Sequence, residues 1–482
     1  MLINVNSVGV LEIRGRPVVS TFWILILIGI FLGLLSAYLI VRGDSYIAIG
    51  MIIAVPVLVV LFKYPLFGVF LWLGVAQFLM VTETTQFRMA YWVIHRGIPI
   101  LSLGLLLLKQ IFQAEKQRIP KLGLSELAML GYLIASILSI IFSHEEPFPM
   151  IILFYDRILI PMCLYLLIFL SKPQEKDLQN LVFVVLFIAA AQSLIGVMSW
   201  VAPQLLPEIW LRWVGLRTIG SLANPSVYTA ALLFAGLILF QAGLTNKSKR
   251  KKFIYITTFI VAGLCVFLSL SRASWLGGLL VAAGLTVIYP KFMLKFGLIV
   301  VVISILFGSF LLLGDPNLIQ DRFYSEESET SALSRLPVVV ASVRMFLTKP
   351  VFGWGYGNFD LYDRQFYDNT VGSFTGDNKD HASHNFFLSL LAEQGIVGFA
   401  LYMAPLVILL VESIKEYPRM QSQGFLSKKF VIILWLVMVN MIVLNNFINI
   451  RVVYGLGLWW ITLGLIASVL SHFKSNWRLN GI

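Results

Sequence analysis

Apolar runs of about 17–25 residues, each long enough to cross the hydrocarbon core of a bilayer, recur along most of this sequence. Because a bilayer core accepts only helices and closed barrels, runs of this length leave few folds open to the chain. Hydrophobic residues make up 59% of the 482 residues and charged residues 12%, against about 45–50% and about 25% in soluble domains. The pattern predicts an all-α, polytopic integral membrane protein.

The apolar runs give about 14 candidate transmembrane helices. They cover residues 20–41, 46–62, 65–81, 97–112, 123–142, 151–170, 180–201, 226–243, 253–270, 274–289, 292–313, 385–411, 428–448 and 453–471. The first run is too long for the core of a signal peptide and lacks a small-residue cleavage site, so we interpret it as a span. The predicted organisation is helices 1–11 in residues 1–313, a large, partly helical extracytoplasmic loop in 314–383, and helices 12–14 in 384–482.

Basic residues are divided unevenly between alternate loops. One set of loops carries most of the lysines, including the run at residues 247–252, and the positive-inside rule places this set and both termini in the cytoplasm. The net charge of +12 therefore reflects topology and contact with membrane lipids, not nucleic-acid binding. The loop at 314–383 falls outside, so we expect a multi-pass membrane protein whose largest loop is extracytoplasmic.

The predicted outer loops carry arginines and only two lysines, Lys349 and Lys379. Arginine binds phosphate or carboxylate with a planar fork, whereas lysine supplies a point charge, so this bias predicts an anion site. Three arginines are the strongest candidates: Arg157 in FYDRILIP, Arg217 in LRTIGSLANP and Arg272 in SLSRASW. The alternative is that each arginine pairs with a nearby acid.

The long loop contains two local patterns. Residues 331–348, which include Arg335, are predicted to form a helix, and VFGWGYGNF follows, with Tyr356 among its glycines. Glycines at this spacing permit a tight turn with exposed amide donors. The alternative is a turn that only braces the loop. The pattern is neither a P-loop nor a dinucleotide fingerprint.

Two histidines, His381 and His384, stand where the long loop leads into the span at 385–411, and Asn385 follows. A neutral histidine near its usual pKa suits general-base work. The alternative is that both histidines bond loop carbonyls at the membrane interface. The sequence contains no cofactor motif or cluster of metal ligands, so we expect neither a cofactor nor a metal.

Three segments resemble the bacterial O-antigen ligase and O-antigen polymerase superfamily: LRTIGSLANP, SLSRASW, and PVFGWGYGNF followed by SHNFFLSLLAEQGIVG. The resemblance extends over residues 181–399, and before it Arg157 is a looser correspondence. It implies a polytopic glycosyltransferase of the bacterial cytoplasmic (inner) membrane whose site faces outward. The implied donor is a glycan on undecaprenyl diphosphate, and the acceptor is a hydroxyl of another glycan, a lipid or a protein.

The resemblance also implies roles for individual residues. His384 corresponds to the family's histidine, as the general base, and Arg217, Arg272 and Arg157 would bind the diphosphate. The family often has a second histidine two residues earlier, where this chain has Ala382. His381, Arg335, Tyr356 and Asn385 are candidates for acceptor or loop contacts. Direct attack by the acceptor would invert the anomeric configuration.

Other functions remain open in the sequence. A ligase and a polymerase differ only in acceptor, and the lack of an acceptor-specific domain slightly favours a polymerase. A transporter or flippase of lipid-linked glycan would show internal repeats and charges near the midplane, whereas the notable charges here lie at the predicted outer edge. A noncatalytic partner in polysaccharide assembly is the third class.

Overall fold

The computed structural model describes residues 3–5, 10–13, 16–20, 33–35, 37–43, 45–80, 85–112, 122–211, 217–295, 297, 309, 335–367, 385–447 and 452–479. The chain divides into two compact units, Met1–Phe67 and Gly68–Ile482. Most of the first predicted span and of the eleventh, at 292–313, lie outside the described residues. So do His381 and His384.

The first unit contains a small antiparallel sheet that the sequence analysis does not predict. Its strands are β1 (Ile3–Val5), β2 (Val10–Ile13) and β3 (Arg16–Ser20), in the order β1-β2-β3. Valine and isoleucine predominate in them, as β-branched residues do in pleated strands. The helix α1 (Ser45–Lys63) follows and coincides with the second predicted span.

The remainder of the described chain is helical. Its helices are α2 (Phe67–Leu79), α3 (Thr85–Trp92), α4 (Ile98–Phe112), α5 (Leu124–Ser143), α6 (Pro147–Phe154), α7 (Ile160–Ser171), α8 (Glu175–Val201), α9 (Pro225–Thr245), α10 (Lys249–Leu268), α11 (Arg272–Ile288), α12 (Arg335–Thr348), α13 (Phe359–Tyr362), α14 (Phe386–Glu416), α15 (Lys428–Asn445) and α16 (Val453–Leu479). The π-helical turn Val93–Gly97 joins α3 to α4, and the π-helical turn Tyr155–Leu159 joins α6 to α7.

Nine helices within the described residues are long and apolar enough to span a membrane. Every predicted span except the first and the eleventh coincides with a described helix. The predominantly helical, multi-pass class is therefore confirmed, while the larger predicted total and the extent of the outer loop stay predictions.

The second unit packs around α9 and α16. In the most apolar 18-residue stretch of each helix, 94% of the α9 stretch and 89% of the α16 stretch is buried. A helix that is apolar on all sides fits such a central position, because no side of it has to face a polar environment. The helix α9 packs against α8, α10 and α15, and α16 packs against α7.

The described part of the long loop contains α12 (Arg335–Thr348), which confirms the described part of the predicted helix at 331–348. An apolar cluster joins it to α14, with Val338 and Met345 from α12 against Phe359 and Ala392. The predicted span at 385–411 needs a correction, because α14 has a non-helical residue at Gly395. Residues 396–416 alone are about 30 Å long, which suffices to cross the core. Residues 386–394 therefore form an additional segment at the predicted outer end.

Candidate functional site

The turn after Arg217 is held by a buried network of amide and hydroxyl groups. The Ser221 N–H donates to Gln192 Oε1 at 3.1 Å, and Gln192 Nε2 donates to Ser221 Oγ at 2.6 Å and to Gln77 Oε1 at 2.8 Å. Gly220 has φ +56°, and a Cβ built there would collide with Gln192, so only glycine fits this backbone. Arg217 is partly exposed and extends from a backbone that the network fixes.

The helix α9 begins directly after this turn, at an N-cap that the sequence encodes. Asn224 Oδ1 accepts from the N–H groups of Ser226 at 2.9 Å and Val227 at 3.2 Å, and Pro225 occupies the first helical position. Asparagine at the N-cap followed by proline is a favoured helix start. The turn therefore fixes both the position of Arg217 and the start of α9.

Arg272 is the exposed first residue of α11, after a tight hairpin from α10. Leu270 in the hairpin has φ +47°, a conformation that non-glycine residues rarely adopt. Trp275 closes the hairpin, because its Nε1 donates to the Phe267 carbonyl at 3.0 Å and its ring stacks on Phe267 at 5.2 Å. Ser271 caps α11 through its side chain. The serine, arginine and tryptophan of SLSRASW thus form one structural unit.

A buried hydrogen bond joins the starts of α9 and α11. Thr229 Oγ1 and Ser274 Oγ are 2.7 Å apart, and each lies in the first turns of its helix. The N-termini of the two helices therefore lie side by side, with Arg217 just before one and Arg272 at the start of the other. Helix N-termini carry partial positive charge and unpaired N–H groups, so together with two arginines they suit a phosphate-type anion.

The start of α14 is anchored at the same end. Asn385 Oδ1 accepts from the Leu388 N–H at 3.0 Å, and Asn385 Nδ2 donates to Asn446 Oδ1 at 3.1 Å. Asn446 follows α15, which packs against both α9 and α11. His384 immediately precedes this anchored residue in the chain. The described role of Asn385 is structural, as the N-cap of α14, and its contact with an acceptor stays a prediction.

The π turns contain an ionic pair between an arginine and an acid, as the alternative interpretation of the outer arginines predicts. Arg96 donates from Nε to Asp156 Oδ1 at 2.6 Å and from Nη2 to Asp156 Oδ2 at 2.5 Å. His95 is fully buried beside them, accepting from Trp72 Nε1 at 3.1 Å, and its Nε2 lies 3.2 Å from the Asp156 carbonyl. Ionisable residues within an apolar helix are a functional signal, and the His-Arg pair at positions 95 and 96 could have been found that way.

Arg157 follows Asp156 in the second π turn, and it interacts electrostatically with residues at the glycine-rich turn. Its positive charge acts on the Tyr356 phenol and on the Glu393 carboxylate. Burial raises the pKa of Tyr356 above its usual range, and Arg157 opposes this shift. The Tyr356 hydroxyl is buried without a hydrogen-bond partner among the described residues. His144, which the sequence analysis also missed, lies with its Nε2 2.7 Å from the Tyr356 carbonyl.

The break in α14 at Gly395 is filled by the glycine-rich turn. Gly395 has φ +60° and ψ −164°, a region that only glycine enters readily. The N–H groups of Ile396 and Val397 leave the helical pattern and donate to the Pro350 carbonyl at 2.8 Å and the Val351 carbonyl at 3.2 Å. A Cβ built on Gly395 would collide with Val351.

The helix carbonyls freed by the same break accept from the turn. Ala392 accepts from the Trp354 N–H at 3.0 Å, and Glu393 accepts from the Gly355 N–H at 2.7 Å. The Glu393 carboxylate accepts from the Phe359 N–H at 3.2 Å. Of the two interpretations of the glycine-rich turn, the bracing one is therefore correct for these amides, because protein carbonyls and a carboxylate use them. Glu393 has a structural role, because its carbonyl and its carboxylate both accept N–H groups of this segment.

The remaining candidates do not add to this geometry. Arg335 is the first residue of α12, and its predicted contact with an acceptor or the loop stays a prediction. Within the described ranges, no group of three or more His, Cys, Asp or Glu side chains could hold a metal ion. The candidate residues that the structure describes therefore fall into two groups, Arg217 with Arg272 and Arg157 with Tyr356.

The comparison with known families agrees with the motifs that form this site. Residues 257–403 match the family model described as O-antigen ligase. This segment is similar to the O-antigen ligase family. It includes the Arg272 hairpin, the glycine-rich turn and the start of α14, whereas Arg157 and Arg217 lie outside it. No curated protein matches the chain. With its apolar helices, the O-antigen ligase segment indicates a multi-pass bacterial membrane enzyme.

Proposed function

We propose that the chain is a glycosyltransferase of the bacterial inner membrane that moves a glycan from undecaprenyl diphosphate to an acceptor hydroxyl on the extracytoplasmic face. The observation that carries the proposal is the hydrogen bond between Thr229 and Ser274. It holds the starts of α9 and α11 together, so Arg217 and Arg272 are presented from the same end of the protein. Arg272 also belongs to the matched family segment.

Arg217 and Arg272 bind the diphosphate in this proposal. Negative charge builds on the diphosphate as the bond to the sugar breaks, and arginines fixed beforehand stabilise that charge without reorganising. A lipid diphosphate is already a good leaving group, so the reaction needs no nucleotide. Arg157 adds a further positive charge to the predicted outer end, from the π turn next to Tyr356.

His384 is the general base. The acceptor hydroxyl attacks the anomeric carbon while its proton passes to the neutral imidazole, and the bonding electrons leave with the diphosphate. A single displacement of this kind inverts the anomeric configuration. The supporting observation is the hydrogen bond from Asn385 to Asn446, which anchors the neighbouring residue beside the helix that packs on α9 and α11.

The test is transfer by purified protein in lipid nanodiscs. Lipid-linked oligosaccharide is supplied alone or with a lipid or protein acceptor, and the products are analysed for mass and anomeric configuration. Growth of the lipid-linked glycan without another acceptor identifies a polymerase, and transfer only to an added acceptor identifies a ligase. Arg419→Lys is the matched control, because Arg419 lies at the other predicted side beside Glu416.

The other function classes give different results in the same system. A flippase moves the lipid-linked glycan between leaflets without changing its mass, and a noncatalytic partner changes neither mass nor leaflet. No transfer with any donor or acceptor class, from protein that is folded and correctly inserted, would contradict the proposed activity.

A further inference from the structure

A groove lies on the flank of the second unit, between the predicted outer half of α5, the glycine-rich turn and α14 just after its break. Its volume is about 420 Å³, within the range of about 300–1,000 Å³ that ligand sites occupy. Leu138 and Phe142 form one wall, and Phe352 and Val397 form the other. The groove is separate from the starts of α9 and α11, which carry Arg272 and the turn after Arg217.

The walls of the groove are suited to a hydrocarbon chain. The Ser143 hydroxyl donates to the Ser139 carbonyl at 2.5 Å, and the Ser139 hydroxyl accepts from the Tyr356 N–H at 3.1 Å, so both serines on the wall are satisfied by protein groups. Phe142 is 84% exposed and Phe352 71% exposed. Large apolar side chains standing out at the mouth of a groove indicate contact with lipid or another apolar partner.

A positive charge is fixed at the rim of the groove. Lys349 Nζ lies 3.9 Å from the centre of the Trp354 ring, and both residues line the groove. The ring attracts and orients the ammonium group. None of the described carboxylates forms a salt bridge with Lys349. Lysine binds phosphate as a point charge, and a tryptophan beside it is typical of the membrane interface.

We propose that this groove binds one anionic phospholipid of the outer leaflet, with its phosphate at Lys349 and an acyl chain between α5 and α14. The charge complementarity decides the occupant, because one ammonium group matches one phosphodiester. A lipid diphosphate would need the paired positive charges that Arg217 and Arg272 supply elsewhere. The bound lipid would contact the glycine-rich turn together with α5 and α14, and so stabilise the packing of the turn against the break in α14.

The test is lipid retention measured by native mass spectrometry. Purified protein is exchanged into mixed micelles with equal amounts of phosphatidylglycerol and phosphatidylcholine of matched chains, and the adducts that survive delipidation are counted. We expect one retained lipid with about a fivefold preference for phosphatidylglycerol, the size expected for one lysine near anionic lipid. The preference should fall to less than about twofold in Lys349→Gln and persist in Lys349→Arg.

Two further variants separate the groove from general charge effects. Lys429→Gln removes a lysine held at 4.7 Å over Tyr289 on the other predicted side, and it should keep the preference. Ala135→Phe fills the groove and should reduce retention of both lipids while Lys349 is intact.

Unchanged preference in Lys349→Gln would overturn the proposal, and so would displacement of the bound lipid by an equal amount of polyprenyl phosphate. Retention is measured without any transfer reaction, so the result is independent of the proposed activity. Size-exclusion profiles and thermal unfolding of each variant check that the fold is kept. If Lys349→Gln does not fold, loss of the preference in folded Lys349→Arg would overturn the proposal.

Discussion

Arg96 and Asp156 are joined by two parallel hydrogen bonds of 2.6 and 2.5 Å, each residue standing in a π-helical turn of a different helix. Such turns widen a helix locally and often occur at functional sites. Here the ionic pair, with buried His95 beside it, holds the two π turns against each other. Arg157 follows Asp156 directly, so the pair also fixes the backbone that carries this arginine.

Replacing Asp156 should therefore destabilise the protein more than replacing a surface partner. Asp156→Asn removes the charge that accepts both arginine bonds and leaves Arg96 partly buried. We expect a loss of about 1–3 kcal/mol, between the values for exposed and buried pairs. The measurement is unfolding in detergent, and the control is Glu412→Gln, whose bond to Lys474 is 2.9 Å and more exposed than the Arg96 pair, with an expected loss of about 0–1 kcal/mol. Equal losses in both variants would contradict the structural role of the pair.

A second prediction concerns the break in α14. Gly395→Ala places a Cβ against the Val351 carbonyl at a conformation that only glycine adopts readily, so a loss of at least about 1–3 kcal/mol is expected. Gly263→Ala is the matched control, because Gly263 is helical and has no atom within 4 Å of a Cβ. That change should leave stability equal or higher, since alanine favours helix. The same unfolding assay compares them, and a neutral Gly395→Ala would mean that the turn does not fill the helix break.

The sequence predicts the parts of this arrangement that depend on local pattern. The Asn224 and Pro225 helix start, the α12 helix and the helical character of the spans all follow from residue type and spacing. The hydrogen bonds between the glycine-rich turn and α14 cannot be predicted in this way, because they replace helical hydrogen bonds by partners about 40 residues away in the chain. The apolar pattern of α14 resumes directly after Glu393, Gln394 and Gly395, so it does not distinguish the break from a continuous helix. The two π turns carry ionisable residues, but nothing in their residue pattern distinguishes a π-helical turn from an α-helical one.

A third prediction concerns the paired arginines. Arg217→Lys and Arg272→Lys keep the charge but lose the planar fork, so each should reduce transfer at least about tenfold under the proposed function. Membrane levels should stay normal, and Arg419→Lys should keep full activity. Initial rates with one lipid-linked donor check this. Full activity in both variants would make Arg217 and Arg272 ordinary surface or pairing residues.

Topology provides a fourth prediction. Cys163 and Cys265 are buried, so a new exposed cysteine should be the main target of a membrane-impermeant thiol reagent. Gln365→Cys should react from outside the cytoplasmic membrane, and Arg250→Cys only after the membrane is opened, because the charge asymmetry places them on opposite sides. Reaction of Gln365→Cys only from the cytoplasm would invert the predicted orientation and remove the proposed mechanism with it.

The last prediction concerns His384. His384→Ala should reduce transfer by about 10²–10⁴-fold, the usual contribution of a general base, while retaining donor binding, because the imidazole acts on the acceptor proton and not on the diphosphate. His381→Ala should cost clearly less, since its spacing departs from the family pattern.

Wild-type activity should also fall as pH drops below about 6.5, where an ordinary imidazole becomes protonated and cannot accept a proton. The burial-raised pKa of the Tyr356 phenol keeps that group protonated throughout this range, so it cannot produce the decline. Product formation by both alanine variants and the wild type is compared from the same donor, with donor binding measured separately. Wild-type turnover in His384→Ala would place the base at another residue, and loss of donor binding in that variant would give the histidine a role in holding the diphosphate instead.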